Sequence, residues 1–380
     1  MKRRIIIVTG SRSEYGILKS VIKEIFCSKK LKPILVVAGM HLSKKHGLSI
    51  NDILRDGYKV NYKVKMIPKG NSHYGMVKSL GTGIIKFGDI FKKINPELVL
   101  VLGDRDEIFA AAIAASHMNI PIAHIHGGDK TKAGIDEYNR HAITKISNIH
   151  FSTTQKSFQR IIKLGENPKF VFNTGSPSID DIKSKYFSNK NELEKKYKIK
   201  FSGKDILLVF HPVTTEIENS VNTFKIILNV IEKLKRTTIA IGPNSDAGNK
   251  QIFEELKKFS NRNKFFKFYT NVPRYDFLGF LNNCSVLIGN SSSGMIEAGY
   301  FDIKVINIGN RQDQREHGAN VVTINISKSI LAKELGNSLK TRKSYKKLNV
   351  YGDGNAAKKI VNILETISIN KELIQKQIAY

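Results

Sequence analysis

The chain has 380 residues, enough for two domains, and its 41% hydrophobic and 25% charged residues are ordinary for a globular protein. No apolar run approaches the roughly 20 residues that span a bilayer, so we expect no membrane segment. A short apolar run follows the basic first residues, but a Gly-Ser-Arg sequence at positions 10–12 interrupts it. We interpret it as a first strand rather than a signal peptide, and we expect a cytoplasmic protein.

The formal net charge of +29 is compatible with nucleic acid, an anionic membrane surface or an anionic substrate as partner. The lysines are scattered among asparagine and isoleucine, and they do not cluster with aromatic residues as in nucleic-acid-binding modules. We therefore expect neither nucleic acid nor a membrane as partner. We attribute most of the charge to general composition and the remainder to the attraction of an anionic ligand.

Short β-branched, apolar runs alternate with amphipathic stretches along the chain, which predicts an α/β fold with parallel, doubly wound sheets. The first half has predicted strands at residues 3–9, 33–39, 98–103, 120–125, 149–153 and 169–173, and helices at 17–26, 80–94 and 105–118. The second half has predicted strands at residues 205–210, 237–242, 267–272, 285–289 and 304–309, and helices at 220–235, 275–282, 295–301 and 356–374.

The composition changes around residues 179–200, where polar residues dominate and apolar periodicity is weak. We place the hinge between two domains there. The predicted domains are residues 1–180 and residues 181–355. By analogy with two-domain folds of this kind, residues 356–380 form a final helix that crosses back to the first domain.

Ionisable side chains follow the predicted strands of the first half. Asp104 and His126 each come directly after an apolar strand, and Asp129 and Asp136 follow shortly after. Ligands of open α/β sheets bind outside the carboxyl ends of the strands, so these four residues are candidates for acid/base catalysis. The alternatives are a glycine-rich turn for Asp129 and a helix N-cap for Asp136.

The second half carries candidate phosphate-binding loops at its strand ends. The sequence Gly-Asn-Ser-Ser-Ser-Gly at 289–294 precedes a predicted helix, where free N–H groups favour phosphate. Ser291 and Ser292 add hydroxyl groups, and Glu297 can accept the hydroxyls of a ribose. A serine N-cap followed by a helix-start glutamate is the alternative. His211, Asn244 and Arg311 also follow strands, and Arg12 lies in the predicted turn at 10–16 of the first half.

These motifs together resemble the hydrolysing UDP-N-acetylglucosamine 2-epimerases, namely the bacterial sialic-acid-pathway enzymes and the epimerase half of the bifunctional animal epimerase/kinase. They occur in family order over nearly the whole chain. The matching segments are Gly-Ser-Arg-Ser-Glu-Tyr-Gly at 10–16, Gly-Asp-Arg-Asp-Glu at 103–107, His-Ile-His-Gly-Gly-Asp at 124–129, Asp-Glu at 136–137, Arg-His-Ala-Ile-Thr-Lys at 140–145, His-Pro-Val-Thr-Thr-Glu at 211–216, Gly-Pro-Asn-Ser-Asp-Ala-Gly at 242–248, the serine loop with Glu297, Gly-Asn-Arg-Gln at 309–312 and Tyr-Gly-Asp-Gly-Asn at 351–355.

The resemblance implies two Rossmann-like domains that face a central cleft, the glycosyltransferase-B architecture, and a homodimer. It implies that Asp104 and Asp136 are needed for catalysis, and that His126 replaces a third acidic residue. The implied UDP-binding residues are His211, Asn244, Ser291, Ser292, Glu297 and Arg311 of the second domain, with Arg12 and Arg105 of the first.

The implied reaction requires no metal and no nicotinamide cofactor. A base removes the proton at C2 while UDP leaves C1, which gives an unsaturated glycal. Water then adds with the opposite configuration at C2 and releases N-acetylmannosamine.

Four alternatives remain open: the same chemistry on a UDP-linked 2,4-diacetamido-2,4,6-trideoxyhexose of a legionaminic-type pathway, a non-hydrolysing epimerase, a glycosyltransferase of the same architecture, and a basic nucleic-acid-binding protein.

Overall fold

The computed structural model describes residues 2–44, 47–66, 73–132, 134–213, 216–243, 248–301, 303–340 and 350–380. The chain divides into two compact units. The first unit comprises Met1–Asp129, Ile135–Ser184 and Val350–Tyr380, and the second comprises Lys130–Gly134 and Lys185–Asn349. Apart from the short segment Lys130–Gly134, the chain changes units after Ser184 and after Asn349, where the sequence analysis placed boundaries after 180 and 355.

Strands and helices alternate through both units. The strands are β1 (Arg3–Thr9), β2 (Leu31–Ala38), β3 (Tyr62–Val64), β4 (Leu98–Leu102), β5 (Ile122–Ile125), β6 (Ile149–Ser152), β7 (Val171–Asn173), β8 (Ile206–Val209), β9 (Thr238–Ile241), β10 (Phe266–Tyr269), β11 (Val286–Gly289), β12 (Lys304–Ile308) and β13 (Val321–Ile324). The helices are α1 (Arg12–Cys27), α2 (Ile50–Arg55), α3 (His73–Ile94), α4 (Asp106–His117), α5 (Ile135–Ile146), α6 (Gln155–Lys163), α7 (Ser178–Lys183), α8 (Lys190–Tyr197), α9 (Ile217–Leu234), α10 (Asn249–Arg262), α11 (Arg274–Asn283), α12 (Ser292–Ile296), α13 (Lys328–Lys340), α14 (Ala356–Thr366) and α15 (Lys371–Ile374).

Among the described residues, the first unit has a seven-stranded parallel sheet with the order β3-β2-β1-β4-β5-β6-β7. Side chains alternate between its two faces. Ile5 and Ile7 of β1 pack into a cluster with α1 and α14, whereas Ile6 and Val8 pack into a cluster with α3 and α4. Both faces are covered, which explains why the strands are continuous apolar runs rather than alternating ones.

The second unit, in its described part, has a six-stranded parallel sheet with the order β10-β9-β8-β11-β12-β13. Each sheet has one point where the strand order reverses: between β1 and β4 in the first unit, and between β8 and β11 in the second. Such a switch point opens a crevice at the carboxyl ends of the strands. The two sheets confirm the predicted α/β class with two Rossmann-like domains.

Several predicted elements differ from the observed ones. The predicted turn at residues 10–16 is wrong, because α1 already begins at Arg12, with the Ser11 hydroxyl accepting from the Glu14 N–H at 3.4 Å as an N-cap. The polar segment assigned to the hinge contains α8, whose first turn is closed by a capping box between Asn189 and Glu192. The predicted final helix is two helices, α14 and α15. The strands β3 and β13 and the helices α2, α6, α10 and α13 were not predicted.

Helix α14 is attached to the first unit at both of its ends. The Asp180 carboxylate accepts from the N–H groups of Ala356 at 3.0 Å and Ala357 at 2.8 Å. The Arg3 guanidinium donates to the Leu364 carbonyl and, at 2.8 Å, to the Ile367 carbonyl. The apolar face of the helix packs on α1. No helix within the described ranges is long and apolar enough to cross a membrane.

Leu364→Ala should lower the free energy of unfolding of the first unit by about 2–4 kcal/mol, because Leu364 is fully buried and its loss leaves a cavity. The measurement is urea unfolding followed by circular dichroism. Lys358→Ala, an exposed position on the same helix, is the matched control. Equal unfolding curves for the two variants would contradict this packing.

Candidate active site

Asp104 lies directly after β4 and binds a buried arginine. Its Oδ2 accepts from the Arg140 Nε at 2.9 Å and from the Arg140 Nη2. Arg140 is 2% exposed and also donates to the Glu137 carboxylate at 2.6 Å and to the Asp129 carbonyl at 3.2 Å. Burial alone would lower the pKa of Arg140, but the carboxylates of Asp104 and Asp129 raise it above its usual value. Arg140 is therefore a permanent cation that holds Asp104 at the sheet edge.

Asp136 lies in the first turn of α5, one residue after the helix begins, so it is not the N-cap. It precedes Arg140 by four residues, and side chains at this spacing lie on the same helix face. Arg140, which binds Asp104, and Asp136 therefore lie on the same face of α5. Arg140 binds Asp104 directly, and Asp136 lies one helical turn before Arg140 on α5.

His126 follows β5 and is held from both sides of its ring. Its Nδ1 lies 3.2 Å from Asp129 Oδ2, and its Nε2 lies 2.9 Å from the Ser176 hydroxyl. Asp129 Oδ1 accepts from the hydroxyls of Thr153 and Ser157, both at 2.8 Å. Because both Asp129 oxygens bind side chains of the protein, this carboxylate is suited to orienting His126 rather than to exchanging protons with a substrate. The His126 backbone has a φ of 69°, a conformation that costs energy for a residue other than glycine.

In the second unit, Asn290 ties three strand ends together. Its side chain accepts from the His211 N–H at 2.7 Å and donates to the His211 carbonyl at 2.8 Å. Its own carbonyl accepts from Arg311 at 3.2 Å and from Gln312 at 2.9 Å. His211 follows β8, Asn290 follows β11, and Arg311 and Gln312 follow β12. The predicted residues His211 and Arg311 therefore lie on two loops that both contact Asn290.

Arg311 also affects the charge of its neighbour. Burial and the Arg311 guanidinium lower the pKa of His211 to about 3. The imidazole is uncharged at neutral pH, so His211 can offer a ligand a hydrogen bond but not a positive charge. Arg311 supplies a positive charge at this edge.

The serine loop at 289–294 leads into the short helix α12. Ser291 is the N-cap of α12, and its hydroxyl accepts from the Ser293 N–H at 3.4 Å, as in the alternative interpretation. The helix ends before Glu297, which is buried and accepts from the Arg274 guanidinium at 2.5 Å. Ser292 is the first residue of the helix, where backbone N–H groups lack helical partners.

The remaining predicted residues lie at the carboxyl edge of the first sheet, with one exception. Arg12 begins α1 and pairs with Asp52 at 2.5 Å. Arg105 follows Asp104, and its Nε lies 3.4 Å from Glu107 Oε2. Asn244 lies outside the described residues. Among the residues that are described, no group of three or more side chains has the arrangement of a metal site.

Sequence comparisons identify the family of this chain. The family profile described as UDP-N-acetylglucosamine 2-epimerase matches residues 23–365. The UDP-N,N′-diacetylbacillosamine 2-epimerase (hydrolyzing) of Legionella pneumophila is 34% identical over 380 residues, which cover 100% of both chains. The polysialic acid biosynthesis protein P7 of Escherichia coli is 37% identical over 333 residues, 87% of this chain and 85% of that protein. The chain belongs to the UDP-N-acetylglucosamine 2-epimerase family.

A solved structure shows the fold that this epimerase shares. The crystal structure of UDP-GlcNAc 2-epimerase from Neisseria meningitidis bound to UDP-GlcNAc matches with a TM-score of 0.80 over 95% of this chain and 99% of that chain. At 18% identity the likeness concerns the fold alone. The two-domain α/β fold is therefore of the glycosyltransferase-B type, and the chain is an enzyme of the UDP-sugar 2-epimerase class.

Sequence reasoning missed the residues that hold the predicted ones in place. Glu14 and Glu107 stand inside the matching motifs at 10–16 and 103–107, so their positions were visible but their burial was not. Asn290 also stood in a quoted loop, but its side chain contacts residues some 79 positions away. Ser176 and Arg274 follow no pattern that would mark them, because their partners are distant in sequence.

Asn290→Ala should destabilise the second unit by about 1–3 kcal/mol, because it leaves the His211 N–H and carbonyl without their partner. Urea unfolding measures this change. Ser292→Ala, in the same loop, is the control and should shift the midpoint little. An Asn290→Ala variant as stable as the control would show that these hydrogen bonds do not hold the loop.

Proposed function

We propose that this enzyme is a hydrolysing 2-epimerase that converts UDP-N-acetylglucosamine and water into N-acetylmannosamine and UDP, for sialic-acid-type sugar biosynthesis. The observation that carries the proposal is the buried Arg140, which binds Asp104 and shares a helix face with Asp136. The word hydrolyzing in the names of the Legionella pneumophila relative and of a 32% identical relative from Campylobacter jejuni supports the hydrolysing branch.

The second unit binds the UDP moiety in this proposal. Ser291 and Ser292 bring hydroxyl groups and the N–H groups of α12 to the diphosphate, and Arg311 adds a fixed positive charge. Glu297, held by Arg274, accepts the ribose hydroxyls. Arg12 and Arg105 of the first unit and His211 and Asn244 of the second complete the proposed set of nucleotide contacts.

Asp104 and Asp136 act as the acid/base pair. In the first half-reaction a carboxylate takes the C2 proton, the C–H electrons form the C1–C2 double bond, and the C1–O bond breaks so that UDP leaves with its electron pair. In the second half, water adds its oxygen to C1 and gives one proton to a carboxylate, while a carboxylic acid of the pair delivers a proton to C2 from the opposite face. His126 is the third candidate; both its ring nitrogens are hydrogen-bonded, so a proton that moves through it must pass by way of Asp129 or Ser176.

UDP-N,N′-diacetylbacillosamine is the second candidate substrate. The Legionella pneumophila relative, whose name gives this sugar, aligns with the chain from end to end. The elimination and hydration steps would be the same, because they involve only C1 and C2.

The deciding experiment offers each UDP-sugar to the purified enzyme. UDP release is followed by chromatography, and the liberated sugar is identified by nuclear magnetic resonance. A higher kcat/KM for UDP-N-acetylglucosamine, with free N-acetylmannosamine as product, supports the first candidate. A UDP-linked epimer as product would indicate a non-hydrolysing enzyme, and a requirement for an acceptor sugar would indicate a glycosyltransferase. The cytoplasmic location and the homodimer stay predictions, which cell fractionation and sedimentation velocity test.

Asp104→Asn and Asp136→Asn should each lower kcat for UDP release by about 10²–10⁴-fold, because an amide cannot exchange the proton. Circular dichroism should show unchanged folding. Asp89→Asn, an exposed carboxylate on α3, is the matched control and should retain full activity. Near-normal turnover by either site variant would refute the assignment of that residue.

A further inference from the structure

A pair of buried glutamates lies beneath the switch point of the first sheet. Glu14 is in the first turn of α1, which follows β1, and Glu107 is in the first turn of α4, which follows β4. The strands β1 and β4 are neighbours, and the sheet order reverses between them. Arg105, proposed above as a nucleotide contact, lies at the same edge. The charge of the two carboxyl groups therefore acts on any ligand that binds at the carboxyl ends of β1 and β4.

Glu107 is held in one position by its surroundings. Its Oε1 accepts from the Met40 N–H at 3.3 Å, and its Oε2 lies 3.4 Å from Arg105 Nε. The backbone of two strand ends is packed against its side chain: a Cβ at Gly10 would lie 2.7 Å from Glu107 Cβ, and one at Gly39 would lie 2.0 Å from its Oε1. Glu107 cannot swing away, so it is a fixed negative partner for the Arg105 guanidinium.

Glu14 is different, because its carboxyl group is not held in this way. It is 6% exposed, and neither oxygen has a hydrogen-bond partner of good geometry among the described residues. Burial and the Glu107 carboxylate raise the pKa of Glu14 to about 8; Asp104 acts in the same sense, while Arg105 and the Ser11 hydroxyl offset part of the effect. Glu14 therefore keeps its proton at neutral pH.

We propose that Glu14 is a positioning residue whose carboxyl group must be uncharged for Arg105 to remain available to the diphosphate of the nucleotide. This inference rests on the proposed function. An ionised Glu14 would place a second negative charge beside Glu107, inside the protein. That charge would compete with the diphosphate for Arg105 and repel the incoming anion. Loss of the Glu14 proton consequently weakens nucleotide binding.

The test compares the wild type with Glu14→Gln, which mimics the neutral acid. UDP affinity by calorimetry, and KM for the UDP-sugar, are measured from pH 7 to 9. The wild type should bind UDP about 3- to 10-fold more weakly at pH 9 than at pH 7, whereas Glu14→Gln should bind equally at both and match the wild type at pH 7. The kcat should be equal in the two proteins at pH 7, where both carry a neutral side chain at position 14. Glu24→Gln, on the same helix, should keep the wild-type profile.

Measuring Tm as a function of pH tests whether Glu14 is protonated in the folded protein, and it requires no enzyme activity. The folded-state pKa of Glu14 is raised above its ordinary 4.5, so the stability that its proton contributes is full below pH 4.5 and is lost as the pH rises through about 8. The glutamine side chain of the variant cannot ionise. The Tm of Glu14→Gln minus that of the wild type should therefore increase from pH 5 to about pH 8 and level off above it.

Three results would overturn the inference: wild-type UDP affinity that does not change between pH 7 and 9, an unchanged alkaline weakening in Glu14→Gln, or a Tm difference that is independent of pH. The wild-type affinity measurement requires no variant, so the proposal can be refuted even if Glu14→Gln does not fold. If neither UDP-sugar is turned over while UDP affinity shows the expected pH dependence, the proposed function fails and the role of Glu14 in nucleotide binding stands.

Discussion

The pairing of the Arg140 guanidinium with Asp104 is the interaction on which the candidate chemistry depends. A guanidinium that is 2% exposed must be paired, because an isolated buried charge costs several kcal/mol. Asp104 and Glu137 provide carboxylates, and the Asp129 carbonyl provides a further acceptor. The cation consequently connects the end of β4, the start of α5 and the loop that carries Asp129. Removing the charge would leave these acceptors without their shared partner.

In the second unit a neutral side chain, rather than an arginine, joins the loops at the sheet edge. The switch point of this unit also gathers loops from neighbouring strands, but Asn290 holds them with an amide that donates and accepts. Because the amide is uncharged, the positive charge of Arg311 is not offset by Asn290. A net positive charge suits a site for a diphosphate. Asp104 and Arg140 instead bring charge of both signs to the first sheet, which suits proton transfer. The two units share a topology and differ in the chemistry at the strand ends.

Protonation states are set by burial at several points near these edges. Burial and Arg311 keep His211 neutral, and burial with Glu107 keeps a proton on Glu14. His124 is also neutral, since burial lowers its pKa to about 3, and it bonds the Gly103 carbonyl at 2.8 Å. This buried contact gives His124 a structural role near the end of β5. Charge at these edges is therefore carried mainly by arginines and by carboxylates that have arginine partners.

The sequence by itself determined the α/β class, most of the strands and the loops that carry the candidate residues. Buried parallel strands are continuous apolar runs, and the polar residues that end them are visible at once. Helix starts were less predictable: α1 begins at Arg12 because Ser11 caps it, a local hydrogen bond that outweighs the glycine at the turn. Only the tertiary structure decided which polar residues bind one another. Asn290 and His211, or Asp129 and Thr153, meet because neighbouring strands end at one sheet edge, and their spacing in sequence records nothing of that proximity. Burial, which sets the protonation of Glu14, is likewise a property of the packed sheet and helices, and no pattern in the chain displays it.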